Sequence, residues 1–195
     1  MNKNVYRVVA LLMVLVVVQS MTSTLWAGEK DWKALKKEDK REQINQRADE
    51  NLAALLETSP KARELYETAY GWATFHNLKL GAGVTAGGGK GVAVSKLTGG
   101  RVYMEMGTAG VGASLGGQKY DVIFLFETEQ NMRHVVENGW QADASANAVA
   151  GESGVNTQTS FINGLAIYQM TDGGLMVNAD IAGTKYWKDG KLNNE

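Results

Sequence analysis

Apolar positions along the chain change their period near Gly71. Before it, Ile44, Ala48, Leu52 and Leu55 recur at three- and four-residue spacing, which places them on one face of an amphipathic helix. Ser59-Pro60 then reads as a second helix start, a serine cap followed by a proline whose missing N–H has no intrahelical partner to lose. Ala62, Leu65, Tyr66 and Ala69 supply its apolar face, and Gly71 is its expected stop. After Gly71 the period becomes two. Val92 and Val94, then Val102, Met104 and Met106, alternate with small or polar residues, and the run from Asp121 to Phe126 suits a fully buried strand.

Glycine clusters punctuate these strands, and turns are expected at Gly87-Gly88-Gly89, Gly99-Gly100, Gly116-Gly117 and Asp172-Gly173-Gly174. One helix interrupts the series, capped by Thr128, with Met132, Val135 and Val136 facing inward and Gly139 ending it. Further strands are expected over 141–150, 161–170, 175–181 and 184–187. Isolated glycines at Gly81, Gly83, Gly107, Gly110 and Gly112 indicate bulges, corners or close backbone approach. The row Ala142, Ala144, Ala146 and Ala148 lets one strand face lie close to a neighbour. The fold class is therefore α+β: N-terminal helices packed on a strongly curved, barrel-like antiparallel sheet with one inserted helix.

The first residues read differently. Lys3 and Arg7 precede eleven apolar residues from Val8 to Val18, and a polar stretch ends at Leu25-Trp26-Ala27-Gly28. That is the layout of a secretory signal peptide cut after Ala27, and it predicts export to the periplasm. Eleven helical residues rise about 16 Å, roughly half of a ~30 Å hydrocarbon core, so the segment is too short for a spanning helix. The sequence contains no cysteine, which excludes disulfides, thiolate chemistry and a lipid attached to an N-terminal cysteine. Removing residues 1–27 takes away two of 20 basic residues and none of 21 acidic ones, leaving 18 against 21. The whole molecule therefore has no net attraction for nucleic acid or an anionic membrane, and any such attraction must be local.

Several motifs suggest chemistry that their context does not support. Gly112-Ala-Ser114-Leu-Gly116 fits the G-x-S-x-G nucleophile elbow, with Asp121 and His134 following in hydrolase order. An elbow needs a helix directly after the serine, whereas here a strand follows. Gly81-Ala-Gly83-Val-Thr-Ala86 resembles a dinucleotide fingerprint but lacks helical periodicity behind it. Gly89-Lys90-Gly91 lacks the earlier glycine and the hydroxyl residue of a phosphate loop. Two histidines and no cysteine make a transition-metal site unfavourable, so no metal, no cofactor and no enzyme activity are expected.

Two basic clusters remain as binding candidates. Between Glu29 and Gln43, Trp32 and Leu35 stand among Lys30, Lys33, Lys36, Lys37, Lys40 and Arg41, with five acids interspersed. The segment reads either as an interfacial helix meeting lipid headgroups or as a solvated lead-in to the first helix. Lys79, Lys90, Lys96 and Arg101 form a second set, placed near the turns of the first hairpins, either converging on one rim or scattered in solvent.

From Leu52 onward the chain resembles the SYLF domain, in the form of small exported bacterial proteins. The features that carry this run in order: Ala69-Tyr70-Gly71, then Lys79 to Gly91, Gly110-Val-Gly-Ala-Ser-Leu-Gly-Gly-Gln118, Tyr120 to Phe126, Ala142-Asp-Ala-Ser145 and Gly173-Gly-Leu175. Ala73-Thr-Phe-His-Asn77 departs from the family in lacking a proline, and Ser114 stands where a glutamine is common. The resemblance implies a lipid-binding domain over 51–190, preceded by a charged helical lead-in over 28–50 and the signal peptide over 1–27. It implies a phospholipid or anionic membrane surface as partner, and the two basic clusters supply the candidate contacts: Trp32, Lys33, Lys36, Lys37, Lys79, Lys90, Lys96 and Arg101. The competing expectation is an envelope protein-interaction module, docking through sheet edges and the aromatic strand Tyr186-Trp187.

Overall fold

The computed structural model describes residues 34–142, 160–171, 174–175 and 183–194. Residues 1–42 and residues 43–195 are two compact units. Helix α1 covers residues 34–58, and in the second unit Ala48, Leu52 and Leu55 are buried with Ile44 partly so, as their spacing requires. Helix α2 (Pro60–Thr68) starts where its cap dictates: Ala62 N–H donates to Ser59 Oγ at 3.2 Å, and Pro60 takes the first position. Its end differs from expectation. Ala69 is already extended, and its N–H donates to Leu65 O at 3.0 Å. Gly71 opens the first strand instead, where a methyl group would stand 2.7 Å from Val94 O. The absence of a side chain there serves close backbone approach and not helix termination.

Strands β1 (Gly71–Ser95) and β2 (Arg101–Phe126) form one long antiparallel ribbon, with Gly71 opposite Phe126 and Val94 opposite Arg101. The turn between them is the one Gly99-Gly100 predicted; Gly99 has φ +69° and its N–H donates to Ser95 O at 2.8 Å. The expected turns at Gly87-Gly88-Gly89 and Gly116-Gly117 are not turns: both lie inside strands. The physical reason is that β1 bends back over itself. A methyl group at Gly87 would lie 2.7 Å from Leu78 O, and at Gly89 and Gly91 it would collide with the side chains of Asn77 and Phe75 and the carbonyls of His76 and Thr74. Glycines at alternate positions thus leave the volume that Phe75 and Asn77 fill. A register shift between Ala82 and Val84 marks the bend, beside Gly81 and Gly83 as their isolation suggested.

Among the described residues four short strands follow: β3 (Trp140–Gln141), β4 (Leu165–Thr171), β5 (Gly174–Leu175) and β6 (Thr184–Lys188). β6 pairs with Met104 to Thr108 of β2, and β4 pairs with Asp121 to Phe126 of the same strand. β3 then extends β6, and β5 extends β4, all antiparallel. The expected inserted helix is present as α3 (Glu129–Arg133), continued by a π-helical turn from His134 to Asn138. Thr128 caps it by accepting from Asn131 N–H at 3.2 Å, Met132, Val135 and Val136 are buried, and Gly139 with φ +74° ends it. A last short helix, α4 (Gly190–Asn193), has no counterpart in the hydrophobic pattern. The signal segment, the alanine row beyond Ala142 and most of the strands expected over 141–150 and 175–181 lie outside the described residues.

The alternation along the strands builds two cores, one on each face of the sheet. Trp72, Val92, Val94, Tyr103, Ile123, Leu125 and Tyr168 face α1 and α2. Phe75, Met104, Val122, Phe124, Phe126, Ile167 and Tyr186 face the concave side, closed by Met132, Val135 and Val136. Rings of Phe75, Phe124, Trp140 and Tyr186 pack there mostly edge to face, with centroids 4.6 Å apart for Phe75 and Tyr186 and 5.3 Å for Phe124 and Trp140. This is the curved α+β architecture that the periodicity implied.

Candidate functional site

The enzyme-like motifs dissolve in the strands that contain them. Ser114 lies inside β2, which continues unbroken to Phe126, so no strand–turn–helix elbow is formed. Gly81 to Ala86 lies inside β1, with no helix N-terminus to receive a pyrophosphate. His76 Nδ1 is 2.7 Å from Asp121 Oδ1, its direct cross-strand partner, and His134 contacts Asn138 on the π-helical turn. Among the described residues no group of three His, Asp or Glu side chains could hold a metal ion.

The basic candidates divide into those with internal partners and those without. Arg101 donates to both carboxylate oxygens of Asp49 at 2.9 and 3.0 Å and to Asn45 Oδ1 at 3.2 Å, tying α1 to the start of β2. Lys96, across the same turn, caps α2 by donating to the carbonyls of Tyr66 and, at 3.2 Å, Glu67, with its ammonium 4.3 Å from the Tyr66 ring centroid. Each holds one helix on the sheet.

Lys90 sits in the most elaborate polar network of the described residues. The register sets Lys90 opposite Glu105 and Glu105 opposite Trp187, so three strands present these side chains in a row on one face. Lys90 Nζ donates to Glu105 and, at 2.6 Å, to Asp189 Oδ2, while Trp187 Nε1 donates to Glu105 Oε2 at 2.9 Å. Asp189 Oδ1 accepts from the N–H groups of Lys191 and Leu192 at 2.8 and 3.0 Å, capping α4. Burial opposes the Asp189 charge, but hydrogen bonds from Lys90, Leu192 and Lys191 together with the Lys90 charge hold its carboxyl below the usual range. Burial likewise opposes the Lys90 charge, and the two carboxylates outweigh it, raising the ammonium. The network fastens β6 and α4 to the ribbon. Sequence reading missed it because strand register, not spacing, creates it; the Asp189-Gly-Lys191-Leu192 cap was the one visible trace.

Lys79 is half-buried in β1 opposite Gln118, and Lys119, which the sequence reading did not single out, is exposed opposite Leu78. Neither makes an ion pair among the described residues. The structure thus brings Lys96 and Arg101 to one turn and gives Lys79 and Lys90 separate places along β1. On α1 in the first unit Lys36 is exposed and Lys37 half-buried, and Trp32 and Lys33 lie outside the described residues. Of the aromatic pair expected to meet a protein partner, Tyr186 is turned into the core and Trp187 is half-buried. Tyr186 is fully buried, and burial, with the nearby Tyr120, pushes its hydroxyl well above the ordinary phenol range. None of the described helices is long and apolar enough to cross a membrane.

Residues 107–195 match the Ysc84 family, described as Las17-binding protein actin regulator. The chain is also 38% identical over 149 residues to Beta cell expansion factor A of Aeromonas veronii, an alignment covering 76% of this chain and 57% of that protein. It therefore spans little more than half of that relative's length.

Proposed function

We propose that this chain, which belongs to the SYLF family, is a non-enzymatic lipid-binding protein of the bacterial cell envelope, exported by residues 1–27 and docking on anionic phospholipid. The observation that carries the reading is the charge of the ribbon. Residues 71–126 hold Lys79, Lys90, Lys96, Arg101 and Lys119 against Glu105 and Asp121, a local net charge of +3 in a chain whose formal net charge is −1. No acid stands between Glu67 and Glu105. Each basic residue held near an anionic surface contributes about 1 kcal/mol, so a few together offset the repulsion of a net-negative protein. The internal partners of Lys90, Lys96 and Arg101 leave Lys79 and Lys119 as the ribbon's cations available to a headgroup, with Trp32, Lys33, Lys36 and Lys37 as a separate contact ahead of the sheet.

The test is co-sedimentation of the purified protein with phosphatidylcholine vesicles and with vesicles containing phosphatidylglycerol, at low and high salt. Sedimentation with the anionic vesicles alone, released by salt, is expected. Absence of sedimentation under every condition would overturn the reading in favour of a protein partner; the description of the matched family names protein binding.

A further inference from the structure

The geometry points to the bend of the ribbon as the part of the molecule that enters the membrane, with the acyl-chain boundary of an anionic bilayer as its occupant. The inference rests on the lipid-binding reading and locates it. Helices α1 and α2 cover the outer sheet face over Trp72, Val92, Val94, Ile123 and Leu125. Farther along the same alternation, the outer-facing positions carry aliphatic side chains that no described element covers: Leu78 is 42% exposed and Leu80 55%, and beyond the register shift Val84 is 65% exposed. Three of the six large exposed apolar residues among those described are thus gathered within seven positions of one strand.

Charge completes the match to a bilayer. Residues 77–88 of β1 and 107–120 of β2, which together make the bend, contain Lys79 and Lys119 and no acid. Lys119 stands directly opposite Leu78 on the same face, while Lys79, between Leu78 and Leu80 in sequence, points to the other face of the strand, so the two lysines bracket the bend from its two sides. Aliphatic side chains flanked by lysines are the composition of a surface that seats its apolar part below the headgroups and its ammonium groups among the phosphates. A protein partner of ordinary composition would instead call for mixed charge or an aromatic anchor on this surface, and the bend has neither among its described side chains.

The absence of cysteine makes the test direct, since one introduced thiol is the sole labelling site. Leu80→Cys, Val84→Cys and, as control, Leu97→Cys at the β1–β2 turn, where Leu97 is 80% exposed, are labelled with an environment-sensitive fluorophore and titrated with phosphatidylglycerol vesicles. Emission should rise and shift to the blue at positions 80 and 84 and stay unchanged at 97. Unlabelled Leu80→Ser and Val84→Ser should each partition about ten-fold more weakly, the loss expected when one such side chain no longer leaves water. Circular dichroism checks that both remain folded. Wild-type sedimentation with an unchanged signal at 80 and 84 would overturn the bend as the contact while leaving lipid binding intact. Failure of the wild-type protein to bind vesicles would overturn both.

Discussion

Gly91 offers the sharpest test of the folded-back strand. A Cβ at this position would meet Thr74 O and the Phe75 ring inside contact distance, and Phe75 is fully buried in the concave core. Neither neighbour has room to retreat: the carbonyl belongs to a strand paired along its length, and the ring is wedged against Phe124 and Tyr186. Gly91→Ala should therefore cost about 3 kcal/mol, the upper part of the overpacking range, less the ~0.5 kcal/mol gained from restricting the unfolded chain. Gly88→Ala is the matched control, since its Cβ would meet nothing nearer than Met106 O at 3.6 Å. It should change stability by no more than about 0.5 kcal/mol. Urea unfolding followed by circular dichroism measures both, and the Gly91 variant should melt roughly 5–10 °C lower. Equal stabilities for the two variants would refute the close approach of the two halves of β1.

Two further predictions concern buried polar groups. Asp189→Asn keeps a capping side chain but removes the charge that Lys90 faces, so a loss of about 1–2 kcal/mol is expected at pH 7, allowing for the exposure of Lys90. Because the folded carboxyl is held below its unfolded value, its contribution is present above about pH 4 and is lost as pH falls through the folded value. The gap between wild type and variant in urea should close in acid, and a gap independent of pH would refute the charged role. Tyr186 is fully buried and its hydroxyl has no hydrogen-bond partner among the described residues. Tyr186→Phe should leave stability unchanged or raise it by up to about 1 kcal/mol, and a loss greater than that in thermal melting would mean the hydroxyl is held after all.

The parts of the fold readable in the sequence were those set by local rules. Ser59-Pro60 and Thr128 announced helix starts because a side-chain oxygen beside an unpaired N–H acts within one turn, and Val122 to Phe126 announced a strand because alternate side chains are apolar on both faces. Gly87-Gly88-Gly89 misled because a glycine row signals the missing side chain, not what exploits it; here the beneficiaries are the Leu78 carbonyl against Gly87 and the Asn77 side chain against Gly89, from the earlier half of the same strand. The first half of β1 went unpredicted because Thr74, His76 and Asn77 break the apolar alternation; His76 is paired with the cross-strand Asp121, and Asn77 Nδ2 donates to Phe75 O of its own strand. Among the candidate contact residues, composition identified the cations but not their partners. Asp49 for Arg101 and Asp189 for Lys90 lie 52 and 99 positions away. Leu78, Leu80 and Val84 passed unnoticed because an isolated leucine in a strand pattern reads as core until the covering helices are seen to stop short of it.

The alternation along Val122 to Phe126 has a consequence for how the second unit comes apart. Val122, Phe124 and Phe126 belong to the concave core and Ile123 and Leu125 to the helix-covered one, so successive residues of a single strand anchor opposite layers. Neither layer can open while this strand keeps its place, and once it leaves, both lose their centre. The amide protons of β1, β2 and β4 around it should accordingly exchange with solvent as one cooperative set, at the rate of global unfolding, with no partly opened state in which one layer survives the other.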